Sequence, residues 1–108
     1  MQNVVFLIGR LVSDPELKKS ENERDYTSIT LAVQRVFKNS NGIYETDFIR
    51  CKLWNGNATN VHEYCKKGDL IGVRGRLQVS SYVVEGEKKY SLDVIAEKVT
   101  FLSSKKAD

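Results

Sequence analysis

The stretch Phe48-Ile49-Arg50-Cys51-Lys52-Leu53-Trp54 is followed, after Asn55-Gly56, by Asn57-Ala58-Thr59-Asn60-Val61-His62-Glu63-Tyr64-Cys65-Lys66-Lys67-Gly68. Its first part alternates with a period of two. Ile49, Cys51 and Leu53 fall on one side of an extended chain, and Phe48, Arg50, Lys52 and Trp54 on the other. In the second part Ala58, Val61, Tyr64 and Cys65 recur at helical spacing. Asn57 is the expected N-cap, Lys66 and Lys67 complement the dipole in the last turn, and Gly68 is the expected C-terminal cap. A strand thus gives way to one short helix.

On either side of this stretch the pattern is strand. Apolar runs rich in β-branched residues predict a first strand over residues 3–12, a loop over 13–25 and a second strand over 27–37. Asn39-Ser40-Asn41-Gly42 turns the chain into the third strand, residues 44–54. A fourth strand covers 70–82, and Glu85-Gly86-Glu87 turns it into a fifth over 89–102. The order β-β-β-α-β-β predicts a mainly all-β domain: an OB-fold, a five-stranded Greek-key barrel with one helix between strands 3 and 4. Gly9, Gly72 and Gly75 fit the bends such a barrel needs. One domain over residues 1–104 and a short tail at 105–108 are expected.

The chain has 108 residues, enough for one core. The longest apolar run, Val4–Ile8, is far too short for a membrane span, and it lacks the flanks of a secretory signal. Two cysteines, Cys51 and Cys65, make no disulfide scaffold, so both are read as reduced thiols in a cytoplasmic protein. His62-x-x-Cys65 with Cys51 lacks a second ligand pair for a metal. No phosphate loop and no nucleophile–base pair appears, so neither an enzyme nor a cofactor is expected.

Charge is placed unevenly. Asp14, Glu16, Glu21, Glu23 and Asp25 cluster early, whereas residues 26–82 carry eight bases and four acids, a surplus larger than the net +3 of the whole chain. Face by face, the third strand sets Phe48, Arg50, Lys52 and Trp54 against its core side. In the fourth strand Ile71, Val73, Leu77 and Val79 are expected inside, with Arg74, Arg76, Gln78 and Tyr82 outside. The second strand ends in Arg35 and Phe37. Cations neutralise phosphates and flat rings stack on unpaired bases, so aromatics interleaved with bases on one face point to a single-stranded nucleic acid. Such rings could otherwise cover a core edge or a subunit contact.

With these residues the chain resembles the DNA-binding domain of the bacterial single-stranded DNA-binding protein family. The resemblance rests on Asn3–Leu11 with Asp14-Pro15-Glu16-Leu17, on Ile29–Val33, on Phe48–Trp54, on Glu63–Gly68, and on Gly75-Arg76-Leu77 with Tyr82. It implies sequence-tolerant binding and protection of single-stranded DNA in replication, recombination and repair. It also implies stacking by Phe37, Phe48, Trp54 and Tyr82, and phosphate contacts by Arg10, Arg35, Lys38, Arg50, Lys52 and Arg76. A related primosomal replication protein shares the fold and part of the pattern, which leaves open an OB module binding both single strands and protein partners. Full-length family members continue into a flexible linker and an acidic tip that recruits replication and repair proteins. This chain stops at Lys105-Lys106-Ala107-Asp108, as a shortened piece or a short paralogue would.

The first strand is apolar on both faces. One face of Val4, Val5, Phe6, Leu7 and Ile8 is core, and the other is expected to meet a second copy. The resemblance implies a homotetramer; the residues themselves leave a dimer equally open.

Overall fold

Six strands and one helix make up the computed structural model, which describes residues 1–103: β1 Val5–Leu11, β2 Lys18–Lys19, β3 Asp25–Lys38, β4 Tyr44–Trp54, α1 Asn55–Tyr64, β5 Leu70–Val84 and β6 Glu87–Ser103. The tail expected at 105–108 lies outside the described residues. The strands form one sheet in the order β1-β5-β6-β4-β3-β2, antiparallel except where β4 runs parallel to β6 at Cys51↔Val94 and Lys52↔Ile95. Pairing of β1 back onto β3, at Arg10↔Ala32 and Leu11↔Leu31, closes it into the expected five-stranded barrel. The sixth strand, β2, is a two-residue addition inside the segment read as loop, paired with Tyr26 and Asp25. Its Lys19–Asp25 ion pair, at 2.8 Å, sits on that short ladder.

The core sits where the alternation put it. Leu11, Ile29, Leu31, Cys51, Leu53, Ile71 and Val73 are buried inside the barrel, and Ala58 and Val61 of α1 close one end. Thr27 is also fully buried, and its Oγ1 has no hydrogen-bond partner among the described residues. Gly75 is demanded by a close approach: a Cβ there would lie 2.0 Å from the Ile95 carbonyl oxygen. The ladder shifts at this point, Arg74 facing Lys98 and Gly75 facing Ala96, so that Glu97 bulges from β6. Gly9 is similarly tight, 2.7 Å from the Ala32 carbonyl oxygen. Gly72 is not, since a Cβ there would make only ordinary contacts at 3.8 Å.

Two expectations fail in β5. Leu77 and Val79 keep the parity of the core but are exposed. Leu77 lies in the last row that β6 shares with β4, opposite Val94, and beyond it β5 and β6 continue as a two-stranded ribbon with no second layer among the described residues. Its turn, Glu85-Gly86, has positive φ at both residues (51° and 79°), the geometry that matches strand twist in a two-residue hairpin.

The helix ends also differ from expectation. The chain passes from strand to helix without a break, so Trp54, still extended, occupies the N-cap and offers no side-chain cap. Asn57 lies inside the helix, and its Nδ2 donates to the carbonyl of the bulged Glu97 at 3.3 Å. At the other end the helix stops at Tyr64, which is exposed against Phe101. Lys66 and Lys67 are past the last turn. Gly68, at φ 93°, belongs to a following turn in which Asp69 accepts the Lys66 N–H at 3.0 Å. That turn is sewn to the barrel by Gly68 N–H to the Leu11 carbonyl and Lys67 N–H to Asp14 Oδ1.

Candidate nucleic-acid interface

Because partners across a ladder share a face, the outer side of β4 can be followed row by row. Tyr26 faces Trp54. In the next row Ser28, Lys52, Ile95 and Arg76 lie side by side across four strands. The row after that holds Thr30 and Arg50, whose Nη2 stands 3.5 Å from Asp93 Oδ1. Phe48 follows, beside Ala32 and Arg10, and is well exposed. The predicted quartet Phe48, Arg50, Lys52 and Trp54 is therefore one continuous stripe.

At one end of the stripe lies a cleft of about 530 Å³ lined by Arg24, Lys52, Trp54, Asn55, Asn57, Arg76, Gln78 and Glu97. The indole of Trp54 is half-buried, with the Tyr26 ring 5.2 Å away and tilted by 35°. The Arg24 guanidinium carbon sits 4.9 Å from the indole centroid. Among the described residues no ion pair engages Lys52 or Arg76. Two cations outside any ion pair, beside a flat ring and several side-chain amides, can take an anion and a planar group together.

The remaining expected residues are dispersed. Phe37 lies 80% exposed near the tip of the β3–β4 hairpin. There Gln34↔Thr46 gives way to Lys38↔Tyr44, so β3 carries extra residues that push Val36 and Phe37 out. Lys38 stands over the Tyr44 ring at 5.6 Å. Tyr82 is on the β5–β6 ribbon, half exposed, opposite Lys89.

Two expected phosphate contacts are otherwise engaged. Arg35 is clamped by two carboxylates, Nη1 to Glu45 Oε2 at 2.7 Å and Nη2 to Asp47 Oδ1 at 3.0 Å. It shares the parity of Val33, and so the core-facing side of β3, opposite to the stripe. Its own charge is already neutralised. Arg10 Nη1 donates to the Gly68 carbonyl at 3.0 Å, which ties it to the turn after α1 rather than to the cleft.

Sequence reasoning passed over Arg24 and Tyr26, which lay in or next to an acidic segment read as loop. It also missed Asn55 and Asn57 as lining residues, one expected to have no role and the other a cap. Gln78 had been placed outward by alternation alone, and that was sufficient to find it.

The other reactive groups are occupied structurally. His62 Nδ1 donates to the Pro15 carbonyl at 3.0 Å, fastening the loop before β2 to the helix. Burial pushes the Cys51 thiol up to about 11, and burial followed by the charge of Asp69 raises that of Cys65. Neither thiol is a ready nucleophile at neutral pH. Among the described residues no three His, Cys, Asp or Glu side chains are grouped to hold a metal ion, and no helix is long and apolar enough to cross a membrane.

On β1, Val5 and Leu7 pack against the core, whereas Phe6 and Ile8 are exposed, as is Val4 just before the strand. The strand pairs with β5 along one edge from Val5 to Arg10. Its other edge pairs with β3 only at Arg10 and Leu11. From Val5 to Gly9 that second edge has no strand partner among the described residues.

Comparison with known proteins places this sequence among relatives. The profile described as "Single-strand binding protein family" matches residues 2–102. Single-stranded DNA-binding protein B of Bacillus subtilis (strain 168) is 43% identical over 106 residues, covering 97% of this chain and 94% of that protein. Single-stranded DNA-binding protein 1 of Clostridium acetobutylicum is 44% identical over 106 residues, 96% of each. The Single-stranded DNA-binding protein of Bacillus cereus is 47% identical over 103 residues, which is 94% of this chain but 61% of the relative's length.

Proposed function

Because this chain belongs to the single-strand binding protein family, we propose that it binds and protects single-stranded DNA, with little regard to base sequence, during replication, recombination and repair. The observation that carries the reading is the cleft in which Trp54 lies beside Lys52 and Arg76, continued along β4 by Arg50 and Phe48. Phosphates pair with the cations and release counterions, and bases stack on the rings. Neither contact reads the edge of a base, so the binding tolerates sequence. A duplex keeps its bases stacked on each other and leaves the rings idle. Lys52 and Arg76 are the principal phosphate contacts, with Arg50 sharing its charge with Asp93. Phe37 and Tyr82 extend the stacking track onto the two hairpins, and Lys38 adds charge at one of them. The role is binding without catalysis.

The protein acts as a homo-oligomer in this reading. Val4, Phe6 and Ile8, together with the unpartnered edge of β1, offer a second copy both apolar area and a row of backbone hydrogen-bonding groups.

Titration with an oligo-dT strand, followed through Trp54 emission, tests the function. Trp54 is the single tryptophan, so stacking on it quenches the whole signal. Duplex DNA of equal length is expected to compete poorly; equal competition would sink the stacking account.

A further inference from the structure

The Trp54 cleft contains a cation anchored at its root and unengaged at its tip. Arg24 precedes β3, and its backbone is held by Ser20: the Arg24 N–H donates to Ser20 Oγ at 3.1 Å, and the Ser20 N–H donates to the Arg24 carbonyl at 2.9 Å. The side chain is exposed, and none of the ion pairs among the described residues includes it. Its neighbour Asp25 is taken by Lys19. The resting partner of the Arg24 guanidinium is the indole of Trp54, 4.9 Å from its carbon.

The second neighbour of that indole is different in kind. Tyr26 stands directly across the β3–β4 ladder from Trp54, fixed by strand pairing. Arg24 lies before the ladder begins, on a long flexible stem. If a base is to reach the indole, Arg24 is the side chain able to give way.

We propose that Arg24 is a nucleotide-binding residue with two positions. It stacks on Trp54 in the unliganded protein, then yields the ring to a base while its charge passes to a neighbouring phosphate of the same strand. The proposal rests on the reading of this face as a single-strand interface. Relative strengths give the exchange its direction. An exposed cation–π contact is weaker than stacking of a base on an aromatic ring, and a guanidinium gains more from a phosphate than from an indole. The occupied state also covers part of an aromatic face that would otherwise be open to water. With Lys52 and Arg76 lining the same cleft, one nucleotide step would meet three cations against the single carboxylate of Glu97.

The test compares the unmutated protein, Arg24→Ala and Arg24→Lys. Arg24 is exposed, so all three are expected to melt together; should Arg24→Ala melt early, the Arg24→Lys comparison carries the ring measurement. Without DNA, acrylamide is expected to quench Trp54 more strongly in both variants, since neither keeps a planar group on the indole. With oligo-dT at several salt concentrations, the slope of log K against log salt is expected to fall by about 0.7 in Arg24→Ala and to persist in Arg24→Lys. Unchanged quenching in both variants would overturn the resting position, and an unchanged slope in Arg24→Ala would overturn the phosphate contact. Failure of the unmutated protein to bind oligo-dT would instead overturn the parent reading of the face. Normal binding with an unaltered slope removes Arg24 alone.

Discussion

Arg35 grips Asp47 side-on across the β3–β4 hairpin, Nη2 to Oδ1 at 3.0 Å and Nε to Oδ2 at 3.1 Å. The hydrogen bond from Arg35 is the main cause holding the Asp47 carboxyl below its usual 3.8. A depressed carboxylate stabilises the folded state above its unfolded value, and that contribution is lost as pH falls through the lower folded value. The clamp is therefore constant across neutral pH and releases in acid, below the usual 3.8. In Arg35→Ala the Asp47 titration, followed by NMR, should move up toward 3.8. Its salt slope for oligo-dT should match that of the unmutated protein, because the guanidinium charge is already taken by Glu45 and Asp47.

Lys52 and Trp54 should separate the two kinds of contact on the stripe. Lys52→Ala is expected to lower the steepness of log K against log salt by about 0.7. Trp54→Ala should weaken binding by roughly 1–3 kcal/mol with the slope nearly unchanged. It should also cost about 1 kcal/mol of stability through the lost contact with Tyr26. Melting and binding measured on one sample decide the matter, since a folded variant that binds normally would remove Trp54 from the interface.

Gly75→Ala should be among the most damaging single substitutions in the barrel. A methyl 2.0 Å from the Ile95 carbonyl oxygen forces β5 and β6 apart at their bulge, at about 3 kcal/mol or more. Gly72→Ala, whose methyl would meet only atoms at 3.8 Å, serves as the control. Thermal melts that place the two variants together would contradict the close approach.

Thr27→Val should stabilise the protein. The buried Thr27 Oγ1 lacks a partner among the described residues, whereas a methyl of similar shape needs none. The expected gain is about 1 kcal/mol, measured by denaturant unfolding. A loss of stability would show that the hydroxyl is satisfied in solution, by water for example.

Phe6→Asp should dissociate the proposed oligomer. Phe6 is 62% exposed on the outer face of β1 beside Ile8. A charge there opposes burial against a second copy but leaves Val5 and Leu7 in the core. Light scattering is expected to show a larger species for the unmutated chain and a monomer for the variant. A monomer in both would end the interface proposal.

Alternation along strands made most of this fold legible. The strand Tyr44–Trp54 and the side each of its residues takes follow from period two alone, and so does the stripe built on it. Alternation reports a face, however, not what lies against it. Leu77 and Val79 keep the core parity at the barrel's last row and beyond it, and nothing in their own residues marks that end. Asn57 has the chemistry of a cap, but the preceding strand enters the helix directly and takes the cap position for Trp54. The partners of Arg35 and Arg10 are not legible in the sequence, because Asp47 and Glu45 meet Arg35 only across the folded β3–β4 hairpin and the Gly68 carbonyl reaches Arg10 from the turn after α1. Arg24 was hidden for the converse reason: its acidic neighbours suggested a neutralised loop, while the tertiary fold set it on an indole.

The ladder between β5 and β6 closes from Val84↔Glu87 outward, so each successive pair adds little loop entropy. Pairing of β1 with β5 must instead join residues some seventy positions apart, such as Val5 and Gly75. We expect the ribbon to zip early and β1 to dock late, with φ-values high near the Glu85-Gly86 turn and low at Leu7. On the ribosome the order is severe, for β1 emerges ahead of the other strands and its main partner more than sixty residues later. Through that interval Val4–Ile8 would be an unpaired, uncharged apolar segment, and nascent chains would be most prone to association there.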